Sequence, residues 1–145
     1  MMALMIEKGI RGGISQCCNR YAKANNKYMK EYDKNKESNY LMYLHANNLY
    51  GWAMSQYLPY GGFRWVEEIN VENIPDNSEK VYILEVDLEY PKELLYYYTD
   101  LPLAPEKKTL DGPKQEKLLT TLYDKTNYVK HYKSLKQYLE MGLKF

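Results

Sequence analysis

The stretch YLMYLHANNLYGWAM, Tyr40 to Met54, decides how the chain is read. Residues 39–44 form a continuous apolar run, the pattern of a strand buried on both faces. His45 ends the run. Asn47 or Asn48 can then cap a short helix over LYGWAMSQYL, residues 49–58. Position 45 would stand at the carboxyl end of a strand, a place where enzymes often hold a metal-binding carboxylate. The N–H groups of Asn48, Leu49 and Tyr50 would open a helix, where orphan donors suit a phosphate. The same spacing allows Tyr50, Trp52 and Met54 to be core residues of an amphipathic turn.

Upstream, EKGIRGGIS (residues 7–15) predicts a tight loop. Gly12 and Gly13 let backbone approach a ligand, and Arg11 adds a fixed charge for a phosphate. Such a loop can grip a nucleic-acid backbone or be an ordinary turn with a surface arginine; short glycine motifs alone favour the turn. Ser15 suits a helix N-cap, and Cys18, Tyr21, Ala22, Tyr28, Met29 and Tyr32 follow a helical stripe up to the polar break DKNKES (33–38). Downstream, PYGGFRWVEE (59–68) predicts a turn and a strand. VYILEVDLEY (81–90) is the clearest strand, with Tyr82, Leu84, Val86, Leu88 and Tyr90 on one face and Glu85, Asp87 and Glu89 on the other. That acidic row fits a solvated face better than a metal site. PLAPEKKTLDGPK (102–114) is a proline-bearing connector. Leu118, Leu119 and Leu122 have helical spacing, and Tyr132, Leu135 and Leu139 give a final helix with Gly142 past its end. Helices and strands mix without regular βαβ alternation, so the expected class is α+β.

The 145 residues suffice for one domain with a core. A formal net charge of +1 provides no global field for nucleic acid, so any such contact must be local. Seventeen tyrosines against two Phe and two Trp predict a wet core or interfacial surfaces. Adjacent Cys17 and Cys18, far from His45 and His131, form neither a disulfide framework nor a zinc motif, and are expected as reduced packing residues of an intracellular protein, nuclear or cytoplasmic. The apolar start is too short for a signal peptide, and no stretch approaches a membrane span.

LHANNLYGWAMSQYLPYGG (44–62) resembles motif A of the protein-primed family-B DNA polymerases of the Polinton/Maverick (virus-like transposon), organellar and viral type. IRGGIS (10–15) is similar to that family's Tyr-x-Gly-Gly motif, with Ile10 in the tyrosine's place. YILEVDLEYPKEL, DLPLAPEKK and KLLTTLYDKTNYVKHYKSLKQYLEMGLK are similar to its palm and insertion segments. The resemblance covers nearly the whole chain, in order. It implies a single partial palm-type domain with a small antiparallel sheet: 1–38 the Gly-Gly loop and linking helix, 39–66 the motif A strand-helix-strand, and 67–145 a palm strand, insertion segment and helices.

The resemblance also implies roles. His45 stands where the family's aspartate binds the Mg²⁺ ions of a two-metal nucleotidyl transfer. Ala46 would offer its carbonyl to a metal, so the degenerate metal set is His45 and Ala46. Asn48, Leu49 and Tyr50 would hold the nucleotide, with Tyr50 the steric gate against ribose and Gly51 where some relatives have proline. Arg11, Gly12 and Gly13 would contact primer–template phosphates. The implied partners are primer–template DNA, deoxynucleoside triphosphates and a terminal protein, with no membrane. Imidazole supplies nitrogen and no negative charge where Mg²⁺ prefers hard oxygens. The family's exonuclease carboxylates would lie N-terminal and its later catalytic motifs C-terminal to this chain. The expectation is therefore a DNA polymerase fragment that is inactive as it stands and does not bind Mg²⁺ productively. The alternative is a non-catalytic DNA-binding or inert remnant of a virus-like transposon.

Overall fold

The computed structural model describes residues 1–110 and 115–145. They fall into two compact units, one made of Met1–Ser15 with Pro59–Phe145 and the other of Gln16–Leu58. The first is a small mixed α/β unit with two two-stranded antiparallel sheets, compatible with the α+β class. The expected internal boundaries at 38/39 and 66/67 fall inside the second and first units respectively.

The first unit begins with α1 (Met2–Gly9) and carries β1 (Ile83–Leu88). β1 shows the alternation its sequence predicts: Glu85 and Asp87 are exposed, Leu84 and Val86 half-buried and Leu88 buried. A single 3-10 turn (Lys92–Leu94) leads toward β2 (Glu106–Thr109), which pairs with β3 (Glu116–Leu119). β1 pairs instead with β4 (Lys125–His131), from Ile83 opposite His131 to Leu88 opposite Lys125. The register slips between Val86 and Leu88. There Asn127 adopts a left-handed φ of 51°, which asparagine tolerates, and its N–H donates to the Asp87 carboxylate at 2.8 Å. The Asp87 carboxylate thus has a structural use.

β4 runs directly into α3 (Tyr132–Glu140), with Tyr132, Leu135 and Tyr138 buried. His131 caps its start, Nδ1 accepting from the Lys133 N–H at 3.2 Å. At the other end Gly142 has φ 96°, its N–H donates to Leu139 O, and the Leu143 N–H donates to Tyr138 O while Leu143 is buried. This is a glycine-dependent helix stop with its accompanying apolar contact. Lys144 then pairs with Glu89, closing the chain's end onto the strand that opens the core. The core collects Val71, Leu88, Tyr90, Ala104, Tyr128, Leu135, Tyr138 and Leu143. As the composition suggests, it contains tyrosines whose polar tips are satisfied: Tyr90 donates to Leu103 O at 2.6 Å and Tyr128 to Pro105 O at 3.1 Å. Burial pushes both phenols well above their ordinary pKa.

The β2–β3 hairpin is tied to β4 by a polar knot. Lys125 is 2% exposed. Its Nζ lies 3.0 Å from Glu106 Oε1, 2.6 Å from Thr121 Oγ1 and 3.1 Å from Thr121 O. Glu106 also accepts from Thr121 and pairs with Lys108. Burial raises the Glu106 pKa, but these donors more than offset it and the carboxyl titrates below its ordinary range. Burial pulls Lys125 down more than Glu106 restores. The carboxylate gains from the pair, and the dehydrated amine bears its cost.

Several expected elements are absent. The helix predicted from Leu118, Leu119 and Leu122 is β3 and the approach to β4. Leucines at i, i+1 and i+4 fit either structure, and the β-branched Thr120–Thr121 pair beside them suits an extended chain. The connector 102–114 contains β2, and its residues 111–114 lie outside the described ones. No strand follows the turn at Gly62; residues 62–70 are irregular. Residues 16–32, where the apolar stripe predicts a helix after Ser15, form none. Asn25 and Asn39 form an antiparallel bridge instead, and the Asn25 side chain donates to Asp33 O and Glu37 O while accepting from the Asp33 N–H. Asparagines compete with the helix for backbone groups in this way. Cys17 and Cys18 are exposed rather than packed. Finally, residues 40–44 are not a buried strand: they are irregular and exposed, Tyr43 at 89%. Apolarity specifies a wish for burial; a strand also needs a ladder partner.

Replacing Lys125 by alanine takes away the buried partner of Glu106, leaving it only Lys108 and Thr121, and opens a cavity, and is expected to cost about 3 kcal/mol; Lys125→Met, which keeps the volume, should cost distinctly less. Urea unfolding of the two variants checks the order. At Gly142 an added Cβ would lie 2.8 Å from Leu94 Cδ1 at a positive φ, so Gly142→Ala should lower stability by about 1 kcal/mol or more in the same assay.

Candidate nucleotide-facing segment

In the second unit, α2 (Leu49–Met54) begins where the sequence places it. It ends at Met54 rather than at residue 58. Asn48 sits in the left-handed region at φ 52° and ψ 44°, and its Oδ1 accepts from the Gly51 N–H at 3.2 Å. Gly51 has a local reason: a Cβ there would collide with the Asn48 amide. A proline at 51 would also remove the N–H that Asn48 accepts from. Ser55 Oγ and Gln56 Nε2 both donate to Trp52 O, ending the helix.

His45, Ala46, Asn48, Leu49 and Tyr50 lie within one six-residue stretch and are all exposed, Tyr50 at 88%. By helix geometry the first amides of α2 have no upstream carbonyl in the helix. Trp52 and Met54 are exposed as well, so the amphipathic-turn alternative, with Tyr50, Trp52 and Met54 as core, does not describe this segment. The helix has only six residues, so its dipole is small. His45 stands at the end of an irregular segment, not at a strand tip.

Arg11, Gly12 and Gly13 belong to the first unit. Arg11 Nη1 donates to Val129 O at 2.6 Å and to Gly9 O at 3.4 Å, and the guanidinium lies 4.2 Å from the Tyr128 ring centroid. The arginine is therefore a clamp on the edge of β4, a use its sequence context did not reveal. Gly12 and Gly13 are exposed, with nothing within 4 Å of an added Cβ, so neither is a glycine for internal close approach.

Among the described residues no group of three or more His, Cys, Asp or Glu is arranged to hold a metal ion. At 45–46 the available donors are one imidazole and one carbonyl, a set that does not fit Mg²⁺. The acidic row is not gathered around a site either: Asp87 serves the β4 bulge, and the Glu89 backbone pairs with Lys144. A recess of about 400 Å³ in the first unit is lined by Met1, Leu4, Met5, Lys8, Trp65 and Glu85, none of them a residue singled out for nucleotide contact. No described helix is long and apolar enough to cross a membrane. Comparison with known proteins found no matching family model, no matching curated protein and no matching solved structure.

Sequence reasoning missed Lys125, Glu106 and His131. Only the aromatic and β-branched run around Tyr128 hinted at β4, because the helical spacing of the leucines before it competed.

Asn48→Ala removes both the cap acceptor and the residue type suited to a positive φ. It is expected to weaken α2 by about 1–2 kcal/mol, read as faster hydrogen exchange at the Gly51 amide. Asn48→Gly, which keeps the backbone freedom, should fall between.

Proposed function

We propose that this chain is part of a protein-primed family-B DNA polymerase: a segment of its palm bearing half a nucleotide site, catalytically disabled by His45. The observation that supports this most is the Asn48-capped start of α2, three residues after His45, with Leu49 and the Tyr50 side chain exposed at the helix's first turn. In the resembled motif those are the groups that meet the triphosphate and the deoxyribose. The extensive apolar exposure of residues 40–44 also suits a segment that works against further polymerase surface.

The loss of function follows from charge. One unit pair at about 4 Å contributes about 4 kcal/mol at an effective dielectric near 20, and against divalent ions more. Each ~1.4 kcal/mol is about tenfold in rate. In a polypeptide that contains this segment with the family's later motifs, His45→Asp should restore metal-dependent primer extension by about a thousandfold or more. No gain over the histidine form removes the motif A assignment. In that restored protein, Tyr50→Val should admit ribonucleotides; unchanged sugar discrimination removes Tyr50 from the gate.

A second function, DNA holding without chemistry, is favoured by one observation: the Gly12–Gly13 backbone is exposed and open beside Arg11, whose guanidinium is itself already engaged by Val129 and Tyr128. Its signature is a salt-dependent gel shift on primer–template DNA that weakens in Arg11→Ala. An inert remnant gives neither extension nor shift.

A further inference from the structure

We propose that the junction between β4 and α3 is an acid-sensitive catch, whose moving part is the His131 ring.

The ring makes one hydrogen bond that holds the junction. Its Nδ1 accepts from the Lys133 N–H, which helix geometry otherwise leaves without an acceptor. Accepting at Nδ1 requires the neutral imidazole with its proton on Nε2. Nε2 itself is buried with no partner among the described residues, as is the Tyr132 hydroxyl. The ring lies 4.9 Å from that of Tyr132 in a stacked arrangement, and Tyr132 is fully buried, with its N–H bonded to Tyr82 O at 3.0 Å. His131 is also the last residue of the ladder, opposite Ile83. One side chain therefore joins the end of the sheet to the start of the helix, and it does so with a dehydrated N–H that water would satisfy if the ring swung out.

Protonation removes the acceptor. An imidazolium has two donors and nothing to offer Lys133, and its charge would sit at a helix start, where the dipole disfavours it. The charges that act on the ring have the same sign: Lys133 from α3 and Lys130 from β4. Among the described residues no carboxylate is among the groups that act on the ring. Asp76 is paired with Lys136 at 2.6 Å, Glu85 on β1 is exposed, and α1, packed at Val129, carries both Glu7 and Lys8 near its end. Burial, then Lys133 and Lys130, lower the histidine's pKa from its ordinary 6.5. The sign follows: the junction's full stability is present above about pH 6.5 and is lost as pH falls from there through the lower folded-state value. The opened form frees the first turn of α3 while Leu135 and Tyr138, deeper in the core, keep the rest of the helix docked.

The test is an NMR titration of the intact chain between about pH 7.5 and pH 5. The imidazole should titrate below 6.5, and the Lys133 amide shift should follow the same midpoint. Protection of that amide, corrected for intrinsic exchange, should fall about fivefold across the transition. In His131→Asn, which retains a capping acceptor and does not titrate, protection should stay level. A ring that titrates at or above 6.5, an amide that does not follow it, or an equal fall in His131→Asn overturns the proposal. The wild-type titration decides alone if the variant is unstable.

Discussion

The antiparallel pairing of β1 with β4 is the constraint on which the first unit depends. A two-stranded ribbon is marginal alone, so each surface of β4 is engaged by something else. Gly9 brings α1 against Val129, and a Cβ there would sit 3.3 Å from Val129 Cγ1. Arg11 takes the Val129 carbonyl and covers Tyr128. Lys125, at the strand's start, draws in the β2–β3 hairpin, and His131, at its end, starts α3. Segments distant in sequence meet on seven residues, so a register slip of one residue would turn Tyr128 out of the core and misplace all four contacts.

That arrangement explains which parts of the sequence were legible. β1 and α3 bury one face, and their apolar residues repeat with the matching period; VYILEVDLEY and Tyr132–Leu135–Leu139 announce themselves for that reason. The Gly142 stop was legible because a positive φ leaves few residue choices, and capping preference narrowed the start of α2 to Asn47 or Asn48. Where structure comes from distant polar partners the sequence is silent. Nothing beside Lys125 signals that Glu106, nineteen positions away in the chain, will meet it. Tyr40–Leu44 shows the opposite failure: a strong local pattern with no partner to complete it.

The candidate site divides in the same way. One local feature of the 45–50 segment, the helix start, was readable from residue types and spacing, whereas spacing left Tyr50 open between a core position and an outward one. Its chemistry was not, since the roles of His45 and Tyr50 enter through resemblance to a polymerase motif. Arg11 shows how a residue can suit a ligand by type and still be occupied at home: its guanidinium already has a carbonyl and an aromatic face.

The bare run from Tyr40 to Leu44 has a further consequence. It combines two aromatic and three unbranched-or-γ-branched apolar side chains with no charge and no proline, and its backbone is unclaimed by any sheet. Five such residues in an extended chain are close to the minimum that stacks in register into cross-β fibrils. The absence of a gatekeeping charge between Asn39 and His45 makes crowding a hazard for this chain, and any partner that covers the run also protects it from self-templated assembly.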